Sequence, residues 1–405
     1  MIERPIYLTE LKKWVDKPQI KIITGIRRSG KSMILELLRI YLIKMGISTS
    51  QIIYLNFESI STEKIKTSHS LNAYFRKTIK NKKKRFYILL DEIQEVKQWE
   101  KVVNSLLVDY NVDVYITGSN SHLLSSELAT LISGRYVQLP IYTLSYKEFI
   151  EFRNKYPFGK NKFKTNFDEY LNKGGFPVIY TQDYDIEAVY KIVQDVYASV
   201  ILYDTVKRHH IRDIELLERV IRYVFDNIGF TFSGKKIADY FNNQRRKVDI
   251  NTIYNYLYAL EGAFVIYRVS RYDIKGKEIL KTQEKFYVSD LSLIYSLLGF
   301  RGRSMGGLLE NLVFLELKRR DYKVHIGKLD TKEIDFVAEK QGKIIYIQVT
   351  YKLENEATIK REFEVLKSIK DHYPKYVVSL DDFWKDNIDG IQHFHLNDFL
   401  LSDVF

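Results

Sequence analysis

The stretch IKIITGIRRSGKSMILELLRIYLIKMG, residues 20–46, decides the fold. IKIIT (20–24) is short, apolar and β-branched, as a strand buried on both faces should be. From Met33 to Met45 the apolar residues Ile34, Leu37, Leu38 and Leu42 recur at helical spacing. Between strand and helix lies the pattern Gly25-x-x-x-x-Gly30-Lys31-Ser32. Glycines let the backbone wrap close to phosphate oxygens, and the free amides at a helix N-terminus point at an anion. The candidate phosphate-binding set is therefore Gly25, Ile26, Arg27, Arg28, Ser29, Gly30, Lys31, Ser32 and Met33. Lys31 would contact the β- and γ-phosphates of ATP, and the Ser32 hydroxyl would ligate Mg²⁺. Of Arg27 and Arg28, one is expected to be solvated. Strand, loop and helix together imply an α/β core with a parallel sheet.

Magnesium requires a carboxylate, and RFYILLDEIQEV (85–96) offers one. Phe86–Leu90 reads as a buried strand, with Asp91 and Glu92 at its C-terminal edge, where open α/β sheets bind ligands. Asp91 is the expected metal partner. Glu92 is the expected base, or the group that orients the attacking water. Val112–Thr117 reads as another buried strand and ends at Gly118-Ser119-Asn120. Two readings stand for Asn120: a polar contact to the γ-phosphate or its water, and a helix-capping turn. Arg135, in SGRY, is either an arginine finger reaching a neighbouring subunit or a surface cation.

GIRRSGKS, LLDEIQ, TGSNSHLLS and SGRY, in this order, resemble the prokaryotic AAA-type ATPases of the STAND-related group, over most of the chain. The resemblance implies a P-loop ATPase core over 1–145 and a helical lid over 146–222. It implies that the strand leading to Ser119 and Asn120 lies between the phosphate-loop strand and the Asp91 strand. It also implies that Arg4 lies near the adenine, and that the protein forms homo-oligomers.

Residues 223–284 read as a winged helix-turn-helix. Ser233 caps a first helix running to Phe241, and Asp249 or Asn251 caps a second that carries Ile253, Tyr256, Leu257 and Leu260 as its apolar stripe. FVIYRVSRYD (264–273) alternates and supplies the wing. The second helix would offer Asn251, Thr252, Asn255 and Tyr258 to a DNA groove, with Arg245, Arg246 and Lys247 on phosphates. The same module could instead pack between domains and bind protein.

Residues 285–405 are similar to the PD-(D/E)xK restriction-endonuclease-like core. That core implies a helix acid, a strand acid and an E-x-K triplet on the next strand, the carboxylates holding Mg²⁺. Glu310 matches the helix acid and Asp335 the strand acid. Gln348 and Thr350 stand where Glu and Lys belong, and Lys352 is the candidate substitute for the lysine. An amide is a weaker ligand than a carboxylate for a hard cation. The expectation is a degenerate nuclease fold, with an ATP-gated nuclease as the alternative.

The composition agrees with a soluble chain of two or three domains. The 405 residues carry a formal charge of +12, which favours a polyanionic partner. There is no cysteine, which excludes disulfides and thiolate chemistry. No stretch approaches the roughly 20 apolar residues of a membrane span. MIERPIYLTELKKW carries no apolar signal segment, so a cytoplasmic location is expected. Three functions remain open: ATP turnover coupled to DNA binding or remodelling, an ATP-gated nuclease, and a nucleotide switch that scaffolds proteins without DNA.

Overall fold

Ile20–Thr24 forms β1, and each of its residues is buried. A computed structural model describes residues 3–121, 135–156, 163–244, 246–299, 304–353, 355–382 and 387–402. It divides into two compact units, Met1–Thr143 with Gly262–Phe264, and Leu144–Glu261 with Val265–Phe405. In the first unit the order is α1 (Pro5–Trp14), β1, α2 (Lys31–Lys44), β2 (Ile52–Asn56), α3 (Ser68–Thr78), β3 (Phe86–Asp91), α4 (Trp99–Asp109), β4 (Val112–Gly118) and β5 (Tyr136–Pro140). The strands pair in the order β2-β3-β4-β1-β5, all parallel. β4 thus lies between β1 and β3, the order implied by the resemblance.

Alternate residues of each strand serve opposite faces of this sheet. Ile20 and Ile22, Ile88 and Leu90, and Val114 and Ile116 pack with Phe75 of α3 and Val103 of α4. Ile23, Leu89 and Tyr115 join the other core, with Leu11 of α1 and Leu38 of α2. A strand with helices on both sides has no solvent face, so its sequence runs apolar without a break.

Lys21 departs from that rule. Its ammonium donates to Asp113 of β4 at 2.5 Å, and neither side chain has any exposed surface. Asp113 also accepts from the Tyr115 hydroxyl at 2.9 Å and from the Asp16 amide at 2.8 Å. Asp16 in turn accepts from the Tyr87 hydroxyl and from Arg85, both at 2.9 Å. Burial pushes the Lys21 ammonium below its ordinary pKa, and the Asp113 charge opposes that shift. The network pins the sheet at the starts of β1, β3 and β4, the edge opposite the phosphate loop.

The second unit begins with α5 (Tyr146–Lys155), α6 (Asn166–Lys173) and α7 (Ile186–Ser199), a π-helical stretch Val200–Lys207, and α8 (Ile214–Asp226). Ser145 and Thr165 each close a capping box at the start of α5 and α6. α9 (Gly234–Asn243) is capped by Ser233, as expected, and α10 (Ile250–Gly262) follows. Ile253, Tyr256, Leu257 and Leu260 of α10 are buried.

The expected wing takes another role. β6 (Ile266–Asp273) and β7 (Glu278–Val288) form an antiparallel hairpin. They share one eight-stranded mixed sheet with β8 (Lys323–Leu329), β9 (Lys332–Lys340), β10 (Lys343–Val349), β11 (Lys375–Ser379), β12 (Asn387–Ile388) and β13 (Ile391–His395), in the order β12-β13-β11-β10-β9-β8-β6-β7. Arg271–Asp273 of β6 run parallel to Ile326–Lys328 of β8. Alternation of apolar and polar residues suits a free wing and a sheet-edge hairpin equally, so the sequence pattern did not separate them. The boundary expected between 284 and 285 consequently falls inside β7. α11 (Leu291–Leu298) and α12 (Met305–Arg319) precede β8, while α13 (Glu356–Lys367) links β10 to a parallel β11 and α14 (Leu396–Leu401) ends the unit. Among the described residues no helix is long and apolar enough to cross a membrane.

Candidate nucleotide site

The turn from β1 into α2 depends on backbone that few residues adopt. Gly25 has φ 149° and Gly30 φ 100°, both in the left-handed region that favours glycine. A Cβ on Gly25 would lie 2.1 Å from the Ile141 carbonyl oxygen, so no larger residue fits. The Lys31 ammonium, almost wholly buried, donates back to the Gly25 and Ile26 carbonyls at 3.1 and 3.2 Å. It lies 3.6 Å from a Glu92 carboxylate oxygen. The Ser29 hydroxyl is buried within the loop with no hydrogen-bond partner.

Asp91 and Glu92 reach this loop from the end of β3. Asp91 accepts from the Tyr54 hydroxyl at 3.0 Å, from the Asn56 amide at 3.2 Å and from Thr117 Oγ1 at 2.5 Å. The nearby Ser32 hydroxyl also favours its charged form. Burial raises the Asp91 carboxyl above its ordinary value, with these donors opposing. Thr117 Oγ1 further accepts from the Glu92 amide at 2.9 Å, so one β4 hydroxyl aligns both acids. Burial alone would raise the Glu92 carboxyl as well. Lys31, a 2.5 Å bond from Gln94, and Arg27 outweigh it and hold Glu92 below its ordinary value. These neighbours favour the charged form of Glu92.

The residues fit a magnesium-bound triphosphate. A loop with glycine at each end, an ammonium, a hydroxyl and a carboxylate converge at one helix N-terminus. A serine and an aspartate are few protein ligands, as suits a cation that takes its other oxygens from phosphate and water. Among the described residues no cluster of three or more His, Cys, Asp or Glu could hold a metal by itself.

The remaining expected members divide. Ile26 points into the core, so only its backbone faces the loop. Arg27 pairs with Glu58 at 2.6 Å, while Arg28 and Met33 are exposed. Ser119 and Asn120 are wholly buried just beyond β4. Arg135 is exposed, and its carbonyl accepts from the Ile20 amide at 2.8 Å, at the start of β1. It therefore stands one strand length, roughly 16 Å, from its own chain's phosphate loop. Arg4 was not in the motif. Its buried guanidinium donates to the carbonyls of Ser29 at 2.8 Å and Tyr142 at 3.0 Å and stacks on Tyr7, 4.5 Å from the ring centroid. It braces the loop through the Ser29 carbonyl. Arg4→Ala should lower stability by about 2 kcal/mol, read from the urea midpoint, and weaken nucleotide binding with it.

In the second unit, Glu310 and Asp335 do meet, but around Lys285 of β7. The Lys285 ammonium donates to Glu310 at 2.7 Å and Asp335 at 3.4 Å and pairs with Glu333 at 2.8 Å. The Tyr287 hydroxyl also donates to Glu310. Gln348 Oε1 accepts the Asp335 amide at 3.2 Å. Lys352 does not substitute for the lysine: it lies exposed beyond β10, 5.5 Å from the ring centroid of Tyr351. β10 ends at Val349 and a bend follows at Tyr351, so strand alternation does not carry through to residue 352.

Of the expected DNA contacts, Arg245 lies outside the described residues. Arg246 is held by Asp213 at 2.8 Å and Glu215 at 2.7 Å, so its charge is already answered. Lys247, Asn251 and Asn255 are exposed and Thr252 is half-buried. Tyr254 and Tyr258, on the same face of α10, are 37% and 55% exposed.

Residues 17–150 match a family described as an AAA domain. Residues 164–304 and 305–395 match two domains of unknown function, DUF8612 and DUF4143. An uncharacterized protein of Haemophilus influenzae is 39% identical over 402 residues, covering 99% of each chain. The uncharacterized protein MJ1544 of Methanocaldococcus jannaschii is 35% identical over 87% of this chain and 79% of its own. Among solved structures, the Walker-type ATPase PABY2304 of Pyrococcus abyssi shares the fold, with a TM-score of 0.51 over 73% of this chain and 96% of that one, at 15% identity.

Proposed function

The chain belongs to one family with its Haemophilus influenzae relative, and from the AAA-domain match of residues 17–150 we propose that it hydrolyses ATP with Mg²⁺ and couples turnover to DNA. The observation that carries the ATPase part is Lys31 set between the loop carbonyls and Glu92, with Asp91 and Ser32 beside it. Lys31 and the loop amides bind and orient the phosphates. Asp91 and Ser32 would hold magnesium, which supplies charge neutralisation at the phosphate oxygens. Glu92 takes the proton of the attacking water; Gln94 holds one of its carboxylate oxygens and Thr117 its backbone amide. Arg135, exposed at the far edge of its own sheet, is suited to act on a neighbouring copy, which supports an oligomer.

DNA as partner is supported by the net charge of +12 and by the open α10 face with Asn251, Asn255, Tyr254 and Tyr258. Amide and phenol groups on one helix face suit base edges and the sugar-phosphate backbone. Nuclease activity gains no support from Glu310 and Asp335, between which the Lys285 ammonium sits. The test is ATP hydrolysis measured with single-stranded, duplex and branched DNA at low salt. The expected result is turnover that one of these changes and that Lys31→Ala removes, with Tyr258→Ala losing only the DNA effect. No nucleic acid altering the rate or binding would remove the DNA part, and no magnesium-dependent hydrolysis would remove the whole.

A further inference from the structure

The acid cluster of the second unit is built from distant stretches of chain. Glu310 comes from α12, Glu333 and Asp335 from β9, and Lys285 and Tyr287 from β7. The Lys285 side chain is 2% exposed, those of Glu310 and Asp335 8% and 12%. The Lys285 ammonium donates hydrogen bonds to Glu310 and Asp335 and ion-pairs with Glu333, so three carboxylates surround one cation. Asp335 turns its second oxygen to the Val349 amide at 2.8 Å, and Glu310 takes the Tyr287 hydroxyl as well. A divalent cation at these oxygens would need them at about 2.0–2.6 Å and would share the space with a positive charge. The resemblance implies a metal between Glu310 and Asp335, and the residues present do not fit one.

We infer that Lys285 is a resident cation, clasping Glu310, Glu333 and Asp335 in the place a divalent metal would take, so that the cluster is a metal-free joint between the β6–β7 hairpin and the rest of the sheet. Burial by itself would lower the Lys285 ammonium's affinity for its proton, but the surrounding carboxylates outweigh burial and raise it. A cleft of about 620 Å³ reaches Glu333, Asp335 and Gln348 from outside, so exclusion of metal is a matter of charge and not of access. This inference is independent of the ATPase reading, since every residue in it belongs to the second unit.

Mn²⁺ binding followed by electron paramagnetic resonance tests it, in an Asp91→Asn background that silences the nucleotide site. With Lys285 present, adding Asp335→Asn should leave Mn²⁺ binding unchanged. Lys285→Met, which keeps the stem and removes the charge, should gain a Mn²⁺ site tighter than its parent by about ten-fold or more, lost again on adding Asp335→Asn. Mn²⁺ binding that depends on Asp335 while Lys285 is intact would overturn the inference. So would a folded Lys285→Met protein with the parent's affinity. If Lys285→Met folds only with Mn²⁺ added, that rescue supports the clasp, and if it does not fold at all the Asp335→Asn comparison decides alone.

Discussion

Glu92→Gln is expected to leave a chain that still binds ATP and magnesium but turns it over about 10²–10⁴-fold more slowly, the usual worth of a positioned base. The side chain keeps its length and its bond to Gln94, while the charge that accepts the proton is gone. Lys31 loses an ionic neighbour at 3.6 Å, so phosphate binding should be kept or strengthened. Loss of binding together with turnover would mean that Glu92 is structural. The pH profile carries a second readout. A glutamate held below its ordinary value stays ionised as pH falls, so the acid limb should lie below the ordinary 4.5 and not near neutrality. A limb at pH 6–7 would point to a different base.

Asp113→Ala should cost about 3–5 kcal/mol, because it leaves the Lys21 ammonium buried and unpaired. That is a large share of the roughly 5–15 kcal/mol that holds an ordinary domain together. The change also frees the Asp16 amide and the Tyr115 hydroxyl. Replacing both charges, Lys21→Met with Asp113→Ala, should recover a good part of the loss, since an apolar core tolerates a methionine where it cannot tolerate a bare cation. Urea midpoints of the two variants decide the matter. A single variant costing under about 1 kcal/mol, or a double variant no more stable than the single, would show that the pair is not a keystone of the sheet.

What the sequence made legible was whatever is local. The phosphate loop lies in eight consecutive residues, and its glycines, lysine and serine are dictated by one turn of backbone. Asp91 and Glu92 were found because strand periodicity puts the end of β3 beside the loop. The strand order followed from the resemblance. Contacts between distant residues were hidden. Lys285 meets Glu310 and Asp335 across separations of 25 and 50 residues, and nothing in KTQEKFYVSD announces a buried cation. Lys21 reads as one polar letter in an apolar strand until Asp113, 92 residues on, is placed beside it. Arg246 looked free because its acids lie 31 and 33 residues earlier. Arg4 was singled out by the resemblance alone, and its bracing contacts were hidden because their partners are carbonyls, which every residue carries.

The hairpin β6–β7 fixes what can be cut from this chain. A fragment beginning near 305 would keep the whole of β8 but strip away the strand that covers it. The uncovered ladder would offer unpaired amides and carbonyls to any passing extended chain. It would also leave Glu310, Glu333 and Asp335 crowded with no counter-ion. Such a truncation should therefore go into inclusion bodies, whereas one starting ahead of Ile266 keeps its seam closed.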